Sequence, residues 1–161
     1  MHDMKNLIAL LFVIMANIIP MHAQQGLHVN ALFKGEIIPK EQMMETSVRG
    51  KMIAKYQLSF FHSLRFYANS DEQKVIEQLV AKDCEGKESY EKATNNKIMK
   101  KISKVSTEMV KLDSQEGKNR YLCYKATTYK HKSEIVIIYM EGSLTSITQL
   151  KKILNNAVIS K

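Results

Sequence analysis

The sequence predicts an α+β domain: an antiparallel sheet with a meander at residues 106–140, and two or three helices packed mainly on one face. Three observations carry this. Short runs of strand-forming residues alternate with polar turns through the second half of the chain. Two capping-box spacings, Ser70 with Gln73 and Ser146 with Gln149, each precede apolar residues at helical intervals. A chain of 161 residues, 45% hydrophobic and 25% charged with 6 Gly and 2 Pro, suits one packed core rather than a collagen-like, low-complexity or disordered polymer. Its two Cys are too few for a small disulfide-stapled scaffold.

Residues 1–23 read as an export signal and residues 24–161 as the single domain. A short polar start precedes the run LIALLFVIMANII at residues 7–19, which is too short to span a bilayer comfortably. Pro20 breaks the helix, and Ala23 places a small residue just before Gln24 and Gln25, so cleavage is expected after Ala23. No Cys follows the cleavage point, so a lipid anchor is not expected, and no transmembrane span remains once the signal is gone. The expected location is periplasmic or secreted.

Within the domain, Leu27, Val29, Ala31 and Phe33 alternate with other residues, which predicts a strand ending at Lys34 and Gly35 with His28 on the opposite face. Pro39 stops whatever Ile37 and Ile38 begin. Residues 50–69 carry two periods: Ile53, Tyr56, Phe60 and Leu64 recur at helical spacing, while Tyr56, Leu58 and Phe60 alternate. A short helix followed by a strand through Arg65 and Tyr67 is expected, and either period buries Phe60. The Ser70 capping box opens a helix whose stripe is Val75, Ile76, Leu79 and Val80, with Asp71 and Glu72 in the first turn and Gly86 past its end. Residues 87–97 are polar and read as a loop. The meander then turns at residues 113–117 and again within residues 126–132. Its last strand is apolar on both faces across residues 135–140, so it is expected at the centre of the sheet or against another subunit. The terminal helix carries Ile147, Leu150, Leu154 and Ala157 on one stripe, with Lys151 and Lys152 opposite.

The formal net charge of +8 survives loss of the signal, because Lys5 and Asp3 cancel. Outside the cytoplasm such charge meets anionic lipid or acidic polysaccharide rather than DNA. All but three of the 24 cations are Lys, and Arg49, Arg65 and Arg120 are few for the bidentate contacts of nucleic-acid recognition. The densest cluster, Lys97, Lys100, Lys101 and Lys104, reads as a solvated face or as a patch for an anionic surface.

No CxxC, HExxH, GxSxG, P-loop or Rossmann fingerprint is present, so no catalytic residue, metal site or cofactor is assigned. Cys84 and Cys123 are either a disulfide, if the fold brings their Cα atoms within about 7 Å, or two small buried hydrophobes. His28, His62 and His131 have no ligand spacing, and His62 beside Ser63 points away from it on a strand. Glu36, Glu41, Glu45, Glu134 and Glu141 supply carboxylates that only the fold can pair. Tyr121, Tyr124 and Tyr139 either present an aromatic binding face to a sugar or peptide or pack across strands.

Three stretches together resemble a group of small exported proteins of unknown function from Bacteroides-type gut bacteria. They are KYQLSFFHSL from Lys55 to Leu64, GKNRYLCY from Gly117 to Tyr124, and IIYMEG from Ile137 to Gly142 leading into a capped terminal helix. The signal ending at Ala23 is similar to theirs. The resemblance implies export and a compact α+β domain of a domain-of-unknown-function family, and carries no site. Where such relatives often have Arg between the second aromatic and the Ser, this chain has His62.

The reading that follows is a non-enzymatic envelope or secreted domain that binds a ligand or partner, whether an envelope protein, a peptide or a glycan, through a sheet face or edge, with a homodimer as one form. The alternative is a hydrolase or transferase acting on an envelope polymer. It requires a Glu or Asp and one of His28, His62 or His131 to converge within about 8 Å in a pocket.

Overall fold

The computed structural model describes residues 24, 26–98 and 101–159, and among these the side chains of residues 94–98, 101–103 and 155–159 are not described. The expected signal at residues 1–23 therefore lies outside the described residues.

Six strands form one antiparallel sheet: β1 (Met44–Arg49), β2 (Leu58–Asn69), β3 (Ser89–Ile98), β4 (Lys101–Gln115), β5 (Lys118–Tyr129) and β6 (Lys132–Gly142), in the order β1-β2-β6-β5-β4-β3. The meander holds and is one strand longer than expected. Residues 89–98, read above as a loop, pair with β4 along its length. Their polarity is that of an edge strand, which has one open side and tolerates charge. The turns at Glu116 and Gly117 and at Lys130 and His131 are two-residue hairpins with φ of +51°, +73° and, at Lys130, +56°. β6 lies between β2 and β5, as its uninterrupted apolar run requires.

Among the described residues four α-helices flank the sheet, on both faces rather than mainly on one. On the first face α1 (Asn30–Phe33) and α3 (Ser70–Cys84) cover a core that includes Phe60, Leu64, Phe66, Leu122, Ile135 and Ile137. On the second, α2 (Lys51–Ala54) and α4 (Ile147–Ile159) cover a smaller cluster of Leu58, Tyr121, Cys123, Met140, Leu144 and Leu150. The one-sided expectation fails because both alternating sets of the central strands are apolar at one end of the sheet, so each needs a cover.

α1 replaces the strand expected before Gly35. Val29, Leu32 and Phe33 are the buried residues there, at helical i, i+3, i+4 spacing. The buried carboxylate of Asp83 accepts the backbone N–H of His28 at 2.8 Å and of Val29 at 2.9 Å, holding the turn wound. The helix over Ser70–Cys84 is as expected, with its box one residue earlier. Asn69 Oδ1 accepts from the N–H groups of Asp71 and Glu72 at 2.9 and 3.0 Å, and Glu72 Oε2 accepts the Asn69 N–H at 2.8 Å. Val75, placed on its apolar stripe above, is exposed. At α4 the Gln149 N–H donates to Ser146 Oγ at 3.3 Å, as the spacing predicts, while the Gln149 side chain accepts from the Thr145 N–H at 2.9 Å. Lys151 lies 3.5 Å from the centre of the Tyr90 ring.

Among the described residues, no helix lies over the far end of the second face. Ser63, Arg65 and Tyr67 on β2, Glu134 and Val136 on β6 and Lys125 and Thr127 on β5 share this face. A cleft there is lined by strand residues alone.

Candidate functional site

Among the described residues two His–carboxylate pairs exist, one with its ring sealed in the core and the other with an exposed ring on a buried carboxylate. His62 points with the even-numbered residues of β2 toward the first face, where none of its surface is exposed. Its Nε2–H donates to Glu45 Oε1 of β1 at 2.6 Å, and Nδ1 accepts from the Gln24 amide at 2.6 Å. Phe33 and Phe60 stack around the ring, at 4.6 and 5.9 Å between centroids. Burial pushes the His62 pKa below its usual value, outweighing the Glu45 hydrogen bond and charge that raise it, while Lys40 and Arg49 add to the lowering. The ring is neutral, and both nitrogens are occupied. The second pair is His28 Nδ1 with Asp83 Oδ1 at 2.9 Å, where both carboxylate oxygens also hold the backbone of residues 28 and 29. His131 stands apart, exposed at the tip of the β5–β6 hairpin.

The remaining predicted groups are dispersed. Tyr121, Tyr124 and Tyr139 are core residues at no more than 4% exposure, so the aromatic face expected of them is turned inward. Their hydroxyls donate to Leu144 O at 2.8 Å, Glu77 at 3.1 Å and Glu141 at 2.8 Å. Burial raises the pKa of all three phenols above the usual value. Of the two readings of Cys84 and Cys123, the structure has the one without a bridge. Cys84 packs against the first-face core and Cys123 within the second-face cluster, with the sheet between them, and both thiols are free. Burial pushes the Cys123 thiol up to about 12, and burial followed by the Glu108 hydrogen bond and charge pushes Cys84 up as well. Neither is a nucleophile at neutral pH. Of the Lys cluster, Lys104 is exposed on β4; Lys100 and the side chains of Lys97 and Lys101 lie outside the described residues. Among the described residues, no group of three or more His, Cys, Asp or Glu is placed to hold a metal ion, and no helix is long and apolar enough to cross a membrane.

The open chemistry lies at the uncovered end of the second face. A cleft of 690 Å³ runs past Tyr67, Tyr129, Lys130, His131 and Lys132, with Asn69 and Glu72 at its rim. Tyr67 is 59% exposed. Lys132 Nζ lies 5.0 Å from the Tyr67 ring centre and Lys130 Nζ 5.9 Å from that of Tyr129. A second cleft of 480 Å³ continues on the same face past Met44, Thr46, Ser63 and Lys125. In this second cleft the Arg65 guanidinium is paired with Glu134. Neither cleft touches His28, His62, Asp83 or Glu45. Exposed ring, hydroxyl and ammonium groups in an open strip are the groups that can orient a polar ligand, and among the described residues the strip places no nucleophile beside a base. Sequence reasoning missed Tyr67, Lys130 and Lys132. Their signal was the alternation of β2, since Ser63, Arg65 and Tyr67 are the polar half of a strand whose other half is Leu64, Phe66 and Ala68.

Residues 16–154 match a family of unknown function, DUF6108, and the chain belongs to that family. Among curated proteins, none matches the chain.

Proposed function

We propose that this DUF6108 protein is an exported, non-enzymatic binding domain of the cell envelope or extracellular space, with its ligand on the uncovered end of the second sheet face. One contrast carries the reading: the His62 ring is sealed in the core and the Asp83 carboxylate of the other pair is tied up holding the backbone of residues 28 and 29, whereas the exposed Tyr67 ring and the ammonium groups of Lys130 and Lys132 line an open cleft. The signal read at residues 1–23 supports export, and the absence of Cys after Ala23 supports a protein without a lipid anchor.

The test is a thermal-shift screen of the exported protein against glycans, peptides and metal ions, because a ligand at about 100 times its Kd adds about 2.7 kcal/mol to the native state. The expected result is a ligand that raises Tm in the parent protein and no longer does so in Tyr67→Ala. A polymer-cleaving activity abolished by His62→Asn in a variant that keeps its Tm establishes the hydrolase or transferase alternative instead. N-terminal sequencing of the exported protein is expected to begin at Gln24, and recovery of the intact chain with the membrane overturns the location.

A further inference from the structure

The two clefts adjoin on the second face, where Tyr67 of the first pairs across the sheet with Glu134 of the second, and together they make a trough whose chemistry narrows the ligand. Along β2 the trough runs from Tyr67 to Ser63, about 13 Å at a strand rise of about 3.3 Å per residue. Across the sheet, Tyr67 on β2, Lys132 on β6 and Tyr129 on β5 stand on three adjacent strands, with Lys132 in the middle. The strip spans about two strand spacings, roughly 10 Å. Those dimensions take a few units of a chain laid along β2.

Its charge is unbalanced. Arg65 and Glu134 offset one another. Glu72 is engaged with the Asn69 N–H at the start of α3. Lys125, Lys130 and Lys132 have no carboxylate within ion-pair distance among the described residues. Ammonium groups beside exposed rings take a ligand that alternates apolar faces with anionic groups. Apart from Tyr67 and Met44 the strip exposes no large apolar side chain to enter a lipid layer.

We propose that the trough binds a linear acidic glycan, one sugar ring stacking on Tyr67 while its carboxylate or sulfate groups meet Lys125, Lys130 and Lys132. The inference rests on the trough being the binding face and names its ligand class.

The exported protein is titrated calorimetrically with polygalacturonate, chondroitin sulfate, neutral dextran, oligo(dT) and phosphatidylglycerol vesicles. Binding of the two acidic glycans and not of dextran is expected, with affinity falling roughly tenfold or more between about 50 and about 500 mM NaCl. Tyr67→Ala and Lys132→Gln each lower that affinity by roughly fivefold or more at unchanged Tm, since both side chains are surface groups. Lys82→Gln, on the far side of the sheet in α3, leaves it unchanged. Tyr67-dependent binding of dextran without binding of the acidic glycans overturns the charge class and leaves the trough standing as a binding face. Tighter binding of oligo(dT) or of vesicles overturns the glycan in favour of that polyanion or membrane. Acidic-glycan binding indifferent to both variants overturns the trough itself, and with it the site proposed above.

Discussion

His62 stands where the sequence offered no partner for it. A His on the apolar side of β2 is tolerated because Glu45 and the Gln24 amide occupy its two nitrogens and two Phe rings enclose it. Removing the ring strands the buried Gln24 amide and leaves a cavity, so His62→Ala is expected to cost about 3 kcal/mol in urea unfolding. The pH dependence follows from the lowered pKa. The unfolded chain takes up a proton near the usual His value while the folded chain stays neutral, so stability declines as pH falls through that value toward the folded one and levels off below it. Tm measured from about pH 8 to about pH 5 should show this decline in the parent protein and a flatter profile in His62→Gln. The thiols supply a second residue-level expectation. With Cys123 held up near 12 and Cys84 also raised, both resist iodoacetamide in the native state and react fully in denaturant, and the non-reduced mass is that of two free thiols.

At the scale of elements, the register between β2 and β6 is the join on which the rest depends. The pairing shifts between Leu58 and Phe60, and there the chain of Gln57, at φ +59°, passes directly over Gly142. A Cβ at position 142 would lie 2.1 Å from Gln57 O and 2.9 Å from Leu58 Cα, both backbone atoms that have nowhere to go. Gly142→Ala is therefore expected to lose about 2 kcal/mol or more and to lower Tm, whereas an Ala at the uncrowded Gly86 meets only the strain of its positive φ. At the start of α3, Asn69→Ala removes two accepted N–H bonds and half of a capping box, at a cost of about 1 kcal/mol. Here the sequence was legible to within a residue: Ser70 with Gln73 and Asn69 with Glu72 have the same spacing, and only the strand feeding the helix decides which pair is used. Gln73 instead reaches Ser133 on β6 and Glu77 one turn on.

For the whole molecule, the sheet order places β2, β6 and β5 inside and β1 and β3 at the edges. Native-state hydrogen exchange should therefore be slowest in residues 60–68, 121–126 and 135–140, and fast along β1, whose residues are nearly all exposed. The β4–β6 meander, the central place of β6, the helix at Ser70–Cys84 and the capped terminal helix were determined by the sequence alone, because period, turn chemistry and capping act over a few residues. The misread elements were those in which two local patterns fit equally well. Residues 27–33 alternate as a strand and also bury Val29, Leu32 and Phe33 as a helix, and only the Asp83 carboxylate, remote in sequence, selects the helix. Residues 89–98 carry no strand pattern of their own and are strand because β4 offers them an edge. The site lay further out of reach. The alternation of β2 puts Tyr67 on its polar half, but β6 is apolar on both faces around Tyr139, and there only covers contributed by distant segments decide which ring meets water. Tertiary packing alone sealed His62 and the three core tyrosines, set Cys84 and Cys123 on opposite faces of the sheet, and left the Tyr67 end open.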